Sequence, residues 1–195
     1  MKRLFDIVFS LFGIIILSPI FLIIAFLVKV TSKGGAFYKQ IRVGKNNKDF
    51  RLLKFRSMYV DSDKKSLITI GGHDSRVTKV GYFIRKYKLD ELPQLINVLK
   101  GDMSFVGPRP EVRYYVNMYT KEQLQVLNVR PGITDPASIA YRNENELLAK
   151  QSDPKQYYID VIMQDKLRIN LEYIANRTFW SDVKIILQTI YVSLH

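Results

Sequence analysis

Residues 7–28 form a run without a charged side chain, and Ser18 and Pro19 lie near its centre. A run of this length is typical of a membrane helix, because about 20 helical residues cross the hydrocarbon core. Proline removes one backbone donor and kinks a helix. The Ser18 hydroxyl is expected to bond the carbonyl that this frees. The pattern predicts a bent, re-entrant membrane helix over residues 1–31, which enters one leaflet and returns.

Basic side chains flank the apolar run on both sides. Lys2 and Arg3 precede it, and Lys29, Lys33 and Lys39 follow it. Because lysine and arginine mark the cytoplasmic side of a bilayer, both ends of the run are predicted to face the cytoplasm. This favours a re-entrant helix in a bacterial inner membrane. The alternative, a kinked anchor that crosses the bilayer once, stays open.

The remaining residues, 32–195, are predicted to form one compact cytoplasmic domain. Strand-like segments at 37–43 and 50–55 are separated by turn residues, which indicates a β-hairpin. Together with the membrane helix, the pattern predicts a mostly helical α+β protein with amphipathic helices at the membrane interface. The helices of the domain are expected at about 77–87, 90–100, 120–127, 155–175 and 180–194.

Three segments are predicted to lie outside regular structure. Segments 107–110 and 130–132 contain proline and glycine, and each should present an arginine on a stiff loop. Residues 60–76 are polar and are predicted to form a mobile loop.

The last helix is expected to pack its broad apolar side into the core rather than onto the membrane surface.

Charge and cysteine content narrow the possible partners. The formal net charge of +12 indicates an anionic partner, which leaves nucleic acid, anionic lipid and a phosphorylated substrate open. The absence of cysteine excludes disulfides and thiolate chemistry. His73 and His195 have no metal-ligand partner at useful spacing, so both are predicted to be incidental.

Asp90 and Glu91 form the only adjacent acidic pair in the chain. Acidic residues at the start of a helix are commonly caps, so a structural role is one explanation. Helix N-termini also collect phosphates, and a carboxylate beside a phosphate needs cations to offset the repulsion. The cations that the sequence offers for this role are Lys54, Arg56, Arg85, Arg109 and Arg130.

Three segments resemble the bacterial sugar transferase family, whose members include the small monotopic phosphoglycosyl transferases. They are KFRSM at 54–58, KLDELPQLINVLKGDMSFVGPRP at 88–110 and VRPGIT at 129–134. KRLFD at 2–6 and the break at Ser18 and Pro19 are also similar to the re-entrant helix of that family. The resemblance covers nearly the whole chain, and the long central block is highly specific.

The resemblance implies transfer of a sugar-1-phosphate from a nucleoside diphosphate sugar, usually a UDP-sugar, to membrane polyprenol (undecaprenyl) phosphate, with release of UMP. It implies that Asp90 is the nucleophile of a covalent phospho-sugar intermediate and that Glu91 assists it. Asp90 would also bind Mg²⁺ together with the diphosphate. The cations implied to surround the phosphates are Lys54, Arg85, Arg109 and Arg130. After Thr134 the chain departs from the family pattern, which leaves the sugar and the base open.

Two other classes of function remain to be weighed. A membrane-tethered nucleic-acid binder would also be basic, but no DNA- or RNA-binding motif occurs, and the cations are not aligned along one helix face. A non-catalytic scaffold of the same fold is disfavoured because both Asp90 and Glu91 are present. Oligomeric state does not follow from the sequence, so a homo-oligomer is left open.

Overall fold

The apolar run folds as a single long helix, α1 (Lys2–Thr31), in a computed structural model that describes residues 1–62 and 74–194. Pro19 lies inside this helix and leaves the carbonyl of Ile15 without its usual amide donor. The Ser18 hydroxyl donates to that carbonyl at 2.7 Å, as the sequence predicts. The backbone therefore stays helical through Pro19. Within the described residues, α1 is the one helix long and apolar enough to cross a membrane.

Both ends of α1 are fastened to the same globular domain. At the N-terminal end, Lys2 Nζ lies 2.5 Å from the carboxylate of Asp182. One turn later, the buried carboxylate of Asp6 accepts the Phe105 amide at 3.1 Å. The C-terminal half of α1 contributes to an apolar cluster whose buried members are Ile24, Val28, Phe55 and Ile84.

The opposite side of α1 is apolar and exposed. A contiguous apolar surface of this size is uncommon on a soluble domain and marks contact with lipid or a partner. This face is consistent with the predicted membrane contact. Its most exposed side chains include Leu4, Ile15, Leu22, Phe26 and Val30.

The predicted β-hairpin is confirmed. Strands β1 (Phe37–Val43) and β2 (Asp49–Phe55) pair antiparallel, with Tyr38 opposite Lys54. The connection contains a 3₁₀ turn, Lys45–Asn47, in which Asn46 has φ 57°. Asparagine tolerates this left-handed conformation better than most residues, which explains the turn chemistry of the segment.

Most of the predicted helices are confirmed within a few residues. Helices α2 (Lys79–Lys86) and α3 (Gln94–Lys100) flank the acidic pair. The segment expected at 120–127 is a 3₁₀ helix, Gln123–Asn128. The segment expected at 155–175 is built from α7 (Pro154–Tyr157), one π-helical turn and α8 (Met163–Asn176). Three short helices were not predicted, namely α4 (Arg113–Val116), α5 (Pro136–Ala140) and α6 (Glu144–Ala149).

A short parallel sheet joins the two predicted loops. Strands β3 (Ser104–Val106) and β4 (Gly132–Thr134) pair side by side, so the prediction that 130–132 lies outside regular structure is wrong at Gly132. A Cβ on Gly132 would lie 2.2 Å from the amide nitrogen of Gly107. Glycine therefore permits the close approach that brings the loop at 107–110 against the chain leading into β4.

The last helix, α9 (Phe179–Leu194), is divided between two environments. Ile185 is buried beside Val106 and Tyr173, as expected for a core helix. Trp180 and Leu187 are 76% and 62% exposed, so the apolar side is broader than the core contact. The predicted mostly helical α+β fold is confirmed. The greater part of the predicted loop at 60–76, together with His73 and His195, lies outside the described residues.

Candidate active site

The acidic pair lies in a tight turn between α2 and α3. Lys88 adopts a left-handed φ of 56°, which ends the run of α2 and starts the 3₁₀ turn Leu89–Glu91. Lys88 is the cap of that turn and Pro93 is the cap of α3, and neither position receives a capping bond from a side chain. Asp90 and Glu91 therefore do not occupy a cap position, but both lie in the first turn of the 3₁₀ helix, where the helix dipole favours acidic side chains.

A buried asparagine fixes this turn against the hairpin. Asn97 of α3 donates from Nδ2 to the carbonyl of Arg51 at 2.8 Å and accepts the Leu53 amide at 2.9 Å. These two bonds occupy backbone groups of β2 immediately before Lys54. The Asn97 side chain thus fixes the distance between the acidic pair and Lys54, which is the next residue on the strand after Leu53.

Glu91 is held by two cations from different segments. Lys54 Nζ lies 3.0 Å from Oε1, and Arg109 donates from Nη1 to Oε2 at 3.1 Å and from Nη2 to Oε1. Burial alone would raise the pKa of Glu91, but Arg109 and Lys54 outweigh it and hold that pKa well below its usual value. Glu91 is therefore ionised and committed to its ion pairs.

Asp90 has the opposite electrostatic environment. Its side chain is buried, with 5% of the residue exposed, and burial raises its pKa above the ordinary value. The positive charges of Lys54, Arg85 and Lys88 act against this shift, while Glu91 adds to it. A desolvated carboxylate with incomplete charge compensation is typical of a reactive group, because perturbed pKa values gather at functional sites.

The loop that carries Arg109 is stiffened from both sides. Pro108 and Pro110 flank the arginine. Arg42 of β1 donates from Nη1 to the carbonyl of Pro110 at 3.0 Å and to Glu111 Oε1 at 2.9 Å. The Arg109 side chain keeps 39% of its surface exposed, so one guanidinium can hold Glu91 and still meet an anion in the cleft.

Of the other three predicted cations, two line the cleft that contains Asp90 and one does not. Arg85 lines the same cleft as Asp90. Arg56 also lines it, with its Nε donating to the carbonyl of Gly35 at 2.9 Å and its guanidinium 5.8 Å from the ring centroid of Tyr38. Arg130 is exposed and donates to the carbonyl of Gly101 at 2.8 Å, away from the groups that line the cleft. The structure brings Lys54, Arg85 and Arg109 to the acidic pair, but not Arg130.

A large cleft of about 1240 Å³ is lined by both the charged centre and α1. One end is apolar and is formed by α1. The acidic pair and its cations line another part of the same cleft. The α1 residues at the apolar end are Phe5, Phe9, Phe12, Gly13 and Leu17. The arrangement can hold an anionic, phosphate-bearing group beside a lipid chain.

Among the carboxylates that line this cleft, Asp90 is the one that the sequence predicts as a ligand for a divalent cation. Among residues 1–62 and 74–194, no three His, Cys, Asp or Glu side chains gather into a metal-binding group. Mg²⁺ is nevertheless often held by one or two carboxylates together with substrate phosphates and water. The Asp90 carboxylate fits that donor set, because it lines the cleft and its negative charge is incompletely compensated.

Sequence reasoning missed several residues of the site. Arg42 and Glu111 support the Arg109 loop, and Tyr158 Oη donates to Glu111 Oε2 at 2.6 Å. Asp135 is fully buried at the cleft and caps α5 by accepting the Ser138 amide at 2.9 Å. The alternation of β1 marks Arg42 as inward-facing, but its partners come from distant parts of the chain.

Comparisons with known proteins give one consistent result. The bacterial sugar transferase family model matches residues 1–195. A UDP-N-acetylgalactosamine-undecaprenyl-phosphate N-acetylgalactosaminephosphotransferase of Aeromonas hydrophila is 40% identical over 196 residues, covering 97% of this chain and 42% of that protein. A UDP-glucose:undecaprenyl-phosphate glucose-1-phosphate transferase of Klebsiella pneumoniae is 40% identical over 194 residues, covering 97% of this chain and 39% of that protein.

The match is not confined to long proteins. An uncharacterized sugar transferase of Bacillus subtilis is 37% identical over 190 residues, covering 97% of this chain and 85% of that protein. The chain spans about two fifths of the length of the Aeromonas and Klebsiella relatives. The similarity therefore concerns one shared portion of those longer proteins.

Proposed function

We propose that this chain, which belongs to the bacterial sugar transferase family, moves a sugar-1-phosphate from a UDP-sugar to undecaprenyl phosphate. The names of the Aeromonas and Klebsiella relatives describe transfers of this kind. The observation that carries the proposal is the acidic pair among cations, with Asp90 buried and Glu91 largely buried, in a cleft whose apolar end is formed by α1. The product would serve as the first membrane-bound precursor of a surface glycan.

The reaction is proposed to take two displacement steps. An oxygen of the Asp90 carboxylate attacks the phosphorus next to the sugar, and the bond from that phosphorus to the bridging oxygen breaks. UMP leaves with the electron pair, and the sugar phosphate stays on Asp90 as an acyl phosphate. A phosphate oxygen of undecaprenyl phosphate then attacks the same phosphorus. This step forms the polyprenyl diphosphate sugar and restores the Asp90 carboxylate.

The two carboxylates are suited to different roles. Glu91 is tied to Lys54 and Arg109, so its use as a nucleophile would break two ion pairs. Asp90 lines the cleft, and its burial makes the free carboxylate less stable and more reactive. Asp90 therefore attacks phosphorus, while Glu91 positions Lys54 and Arg109 around the charge that develops on the phosphoryl oxygens.

Mg²⁺ is proposed as the cofactor, held by Asp90 together with the diphosphate. When bound, the ion would offset phosphate charge and polarise a phosphoryl oxygen. Lys54 and Arg109 supply the fixed positive charge on the protein side, and Arg85 is placed to add to it. Arg56 and Arg130 remain predictions for phosphate contact, and the placement of Arg130 does not favour its role.

Assay of UMP release tests the proposal directly. Purified protein in lipid, given a UDP-sugar, undecaprenyl phosphate and Mg²⁺, should release one UMP for each lipid-linked sugar formed. EDTA should lower this rate by at least about 100-fold, because a metal ion contributes several kcal/mol to charge stabilisation, and excess Mg²⁺ should restore it. Transfer that persists in EDTA would remove the metal from the scheme.

The topology of α1 is proposed to be re-entrant. Lys2 and Asp6 at one end, and Ile24 and Val28 at the other, all contact the same domain. A straight crossing would separate these ends by about 30 Å of hydrocarbon. A domain that touches both ends is more easily reconciled with a helix that stays at one face. We place that face in the cytoplasm of the cell, where nucleotide sugars are made.

Single-cysteine labelling tests this topology, and the natural chain contains no cysteine to interfere. One cysteine is added ahead of Met1 and another replaces Lys33, which is exposed beyond α1. A third replaces the exposed Arg177 and reports the side of the domain. In intact cells, all three should resist an impermeant maleimide and react after lysis. Labelling of the first cysteine alone in intact cells would establish a spanning anchor.

A further inference from the structure

The cleft continues beyond the acidic pair into a second, polar part, which we name the C-terminal arm. It is lined by side chains from β1, from the segment after Arg109, from the α5 to α6 region and from α8. The arm residues used below are Arg42, Glu111, Glu144, Tyr158, Lys166 and Asn170.

The arm contains a buried acceptor without a partner. Asn170 is 6% exposed, and its Oδ1 meets no donor among the described residues. Arg42 Nε is likewise buried and unpaired within the described part of the chain. Buried polar atoms without partners are rare, because each forfeits its bonds to water. Since both residues line the cleft, a polar ligand there would satisfy them.

Other walls of the arm include aromatic rings and a pair of opposite charges, beside aliphatic side chains such as Met163 and Leu167. Lys166 pairs with Glu144, and its Nζ lies 5.8 Å from the ring centroid of Tyr141 and 5.7 Å from that of Tyr158. The arm thus combines flat ring surfaces with acceptor oxygens on Glu111, Glu144 and Asn170. A pyranose presents hydroxyl or amide hydrogens around its whole ring and matches such a set. The uracil base of a UDP-sugar has a single N–H to offer.

The arm begins next to Arg109, where the proposed mechanism places the reacting phosphate. Arg109 faces Glu91, while Glu111, two residues later, faces Arg42 and Tyr158. Two residues of extended chain span roughly 7 Å, which is close to the width of one sugar ring. The residue before a proline favours extended backbone, so Pro110 helps to keep this spacing. A group attached to a phosphate at Arg109 would reach the arm without a linker.

We propose that the C-terminal arm binds the sugar of the nucleotide sugar and that Asn170 is a specificity-determining residue, with its Oδ1 accepting a hydroxyl or amide hydrogen of the sugar. This inference rests on the proposed transfer reaction. It assigns the sugar to the arm, the diphosphate to Lys54 and Arg109, and the lipid chain to the α1 end of the cleft.

The test compares Asn170→Leu with a matched control, Asn176→Leu, on the same helix. Asn176 is exposed at the end of α8. UMP release is measured with the full chain in lipid, using UDP-glucose, UDP-N-acetylgalactosamine and UDP-galactose as donors. UMP serves as a product inhibitor that reports binding of the nucleotide part, and thermal unfolding reports stability.

Asn170→Leu should lower kcat/KM for the best donor by about 10- to 100-fold and narrow its lead over the other donors, because one buried hydrogen bond is lost. Inhibition by UMP should change by less than about twofold, and the melting temperature should stay level or rise, because the variant removes an unpaired buried oxygen. Asn176→Leu should match the wild type in all three measurements.

The other outcomes overturn the inference in distinguishable ways. Unchanged donor use by Asn170→Leu means that the residue does not touch the sugar. A parallel loss of UMP inhibition assigns the arm to the nucleoside instead. A lower melting temperature that accompanies the loss of activity with every donor assigns Asn170 a structural role. If the wild type releases no UMP with any donor, the proposed transfer reaction fails, and the inference fails with it.

Discussion

Asp90→Asn should abolish transfer while leaving the fold intact. The amide keeps the shape of the carboxylate but cannot form the acyl phosphate, so turnover should fall by at least about 10⁴-fold. With a donor labelled in its sugar phosphate, wild-type protein quenched before addition of the lipid should carry the label on the peptide that contains Asp90. The variant should carry none.

A matched control is Asp160→Asn, because Asp160 is exposed and accepts only from Gln156 among the described residues. This control should retain wild-type turnover. Residual activity of Asp90→Asn above about 1% would exclude the carboxylate as the nucleophile, because loss of an attacking group is far more severe. Label found on another residue would exclude it as well.

The raised pKa of Asp90 adds a dependence on pH. In the proposed mechanism the ionised carboxylate attacks, so the acid limb of kcat/KM should lie above 3.8, the ordinary pKa of aspartate. The same shift acts on stability: a folded pKa above the unfolded one means that stability falls as pH rises through this region. Asp90→Asn should therefore melt at or above the wild-type temperature at neutral pH, and the two proteins should converge in acid.

Glu91→Gln should strongly lower the stability of the fold, whereas Asp90→Asn should not. The variant leaves Lys54 and Arg109 without their anionic partner at a site where the Glu91 side chain is only 14% exposed. Removing one partner of a buried ion pair costs about 3–5 kcal/mol, and the partial exposure of Arg109 reduces this to roughly 2–3 kcal/mol. Chemical or thermal unfolding in detergent measures the change.

The pH dependence of wild-type stability gives a second test of the Glu91 ion pairs. Its folded pKa is held below the ordinary 4.5, so the stability it confers is present above that value and is lost as pH falls through the depressed pKa. Glu91→Gln should weaken this loss of stability at acidic pH. Glu146→Gln, at an exposed position, is the control and should leave both stability and its pH profile unchanged. Equal stability of Glu91→Gln and the wild type would show that the ion pairs contribute nothing.

Local patterns predicted the parts of the fold that depend on neighbours in sequence. The hairpin followed from alternating side chains and turn residues, and β1 was predicted with its exact bounds. The acidic pair followed from its adjacent charges, and Arg109 followed from its place between two prolines. Lys54 and Arg85 have no such local signal, and they were predicted as cations that the chain offers and through the resemblance to the family. The bond from Ser18 to the Ile15 carbonyl was also predictable, because both residues lie in one helical turn.

The remaining features depend on contacts between distant segments. Strands β3 and β4 have three residues each and are separated by 25 residues, so neither shows a strand pattern. The link from Arg42 through Glu111 to Tyr158 joins three parts of the chain. Arg130 resembled Arg109 in its loop chemistry, but the turn at Gly101 captures its guanidinium. Such pairings are set by tertiary packing rather than by propensity.

The packing of α1 has a practical consequence for producing a water-soluble fragment. Deleting residues 1–31 would uncover Phe55 and Ile84 and would leave the Phe105 amide without the Asp6 carboxylate. It would also strip one wall from the reaction cleft. Truncation before the hairpin should therefore yield an aggregating remnant, and a usable soluble form would instead need polar replacements on the exposed apolar side of the intact helix.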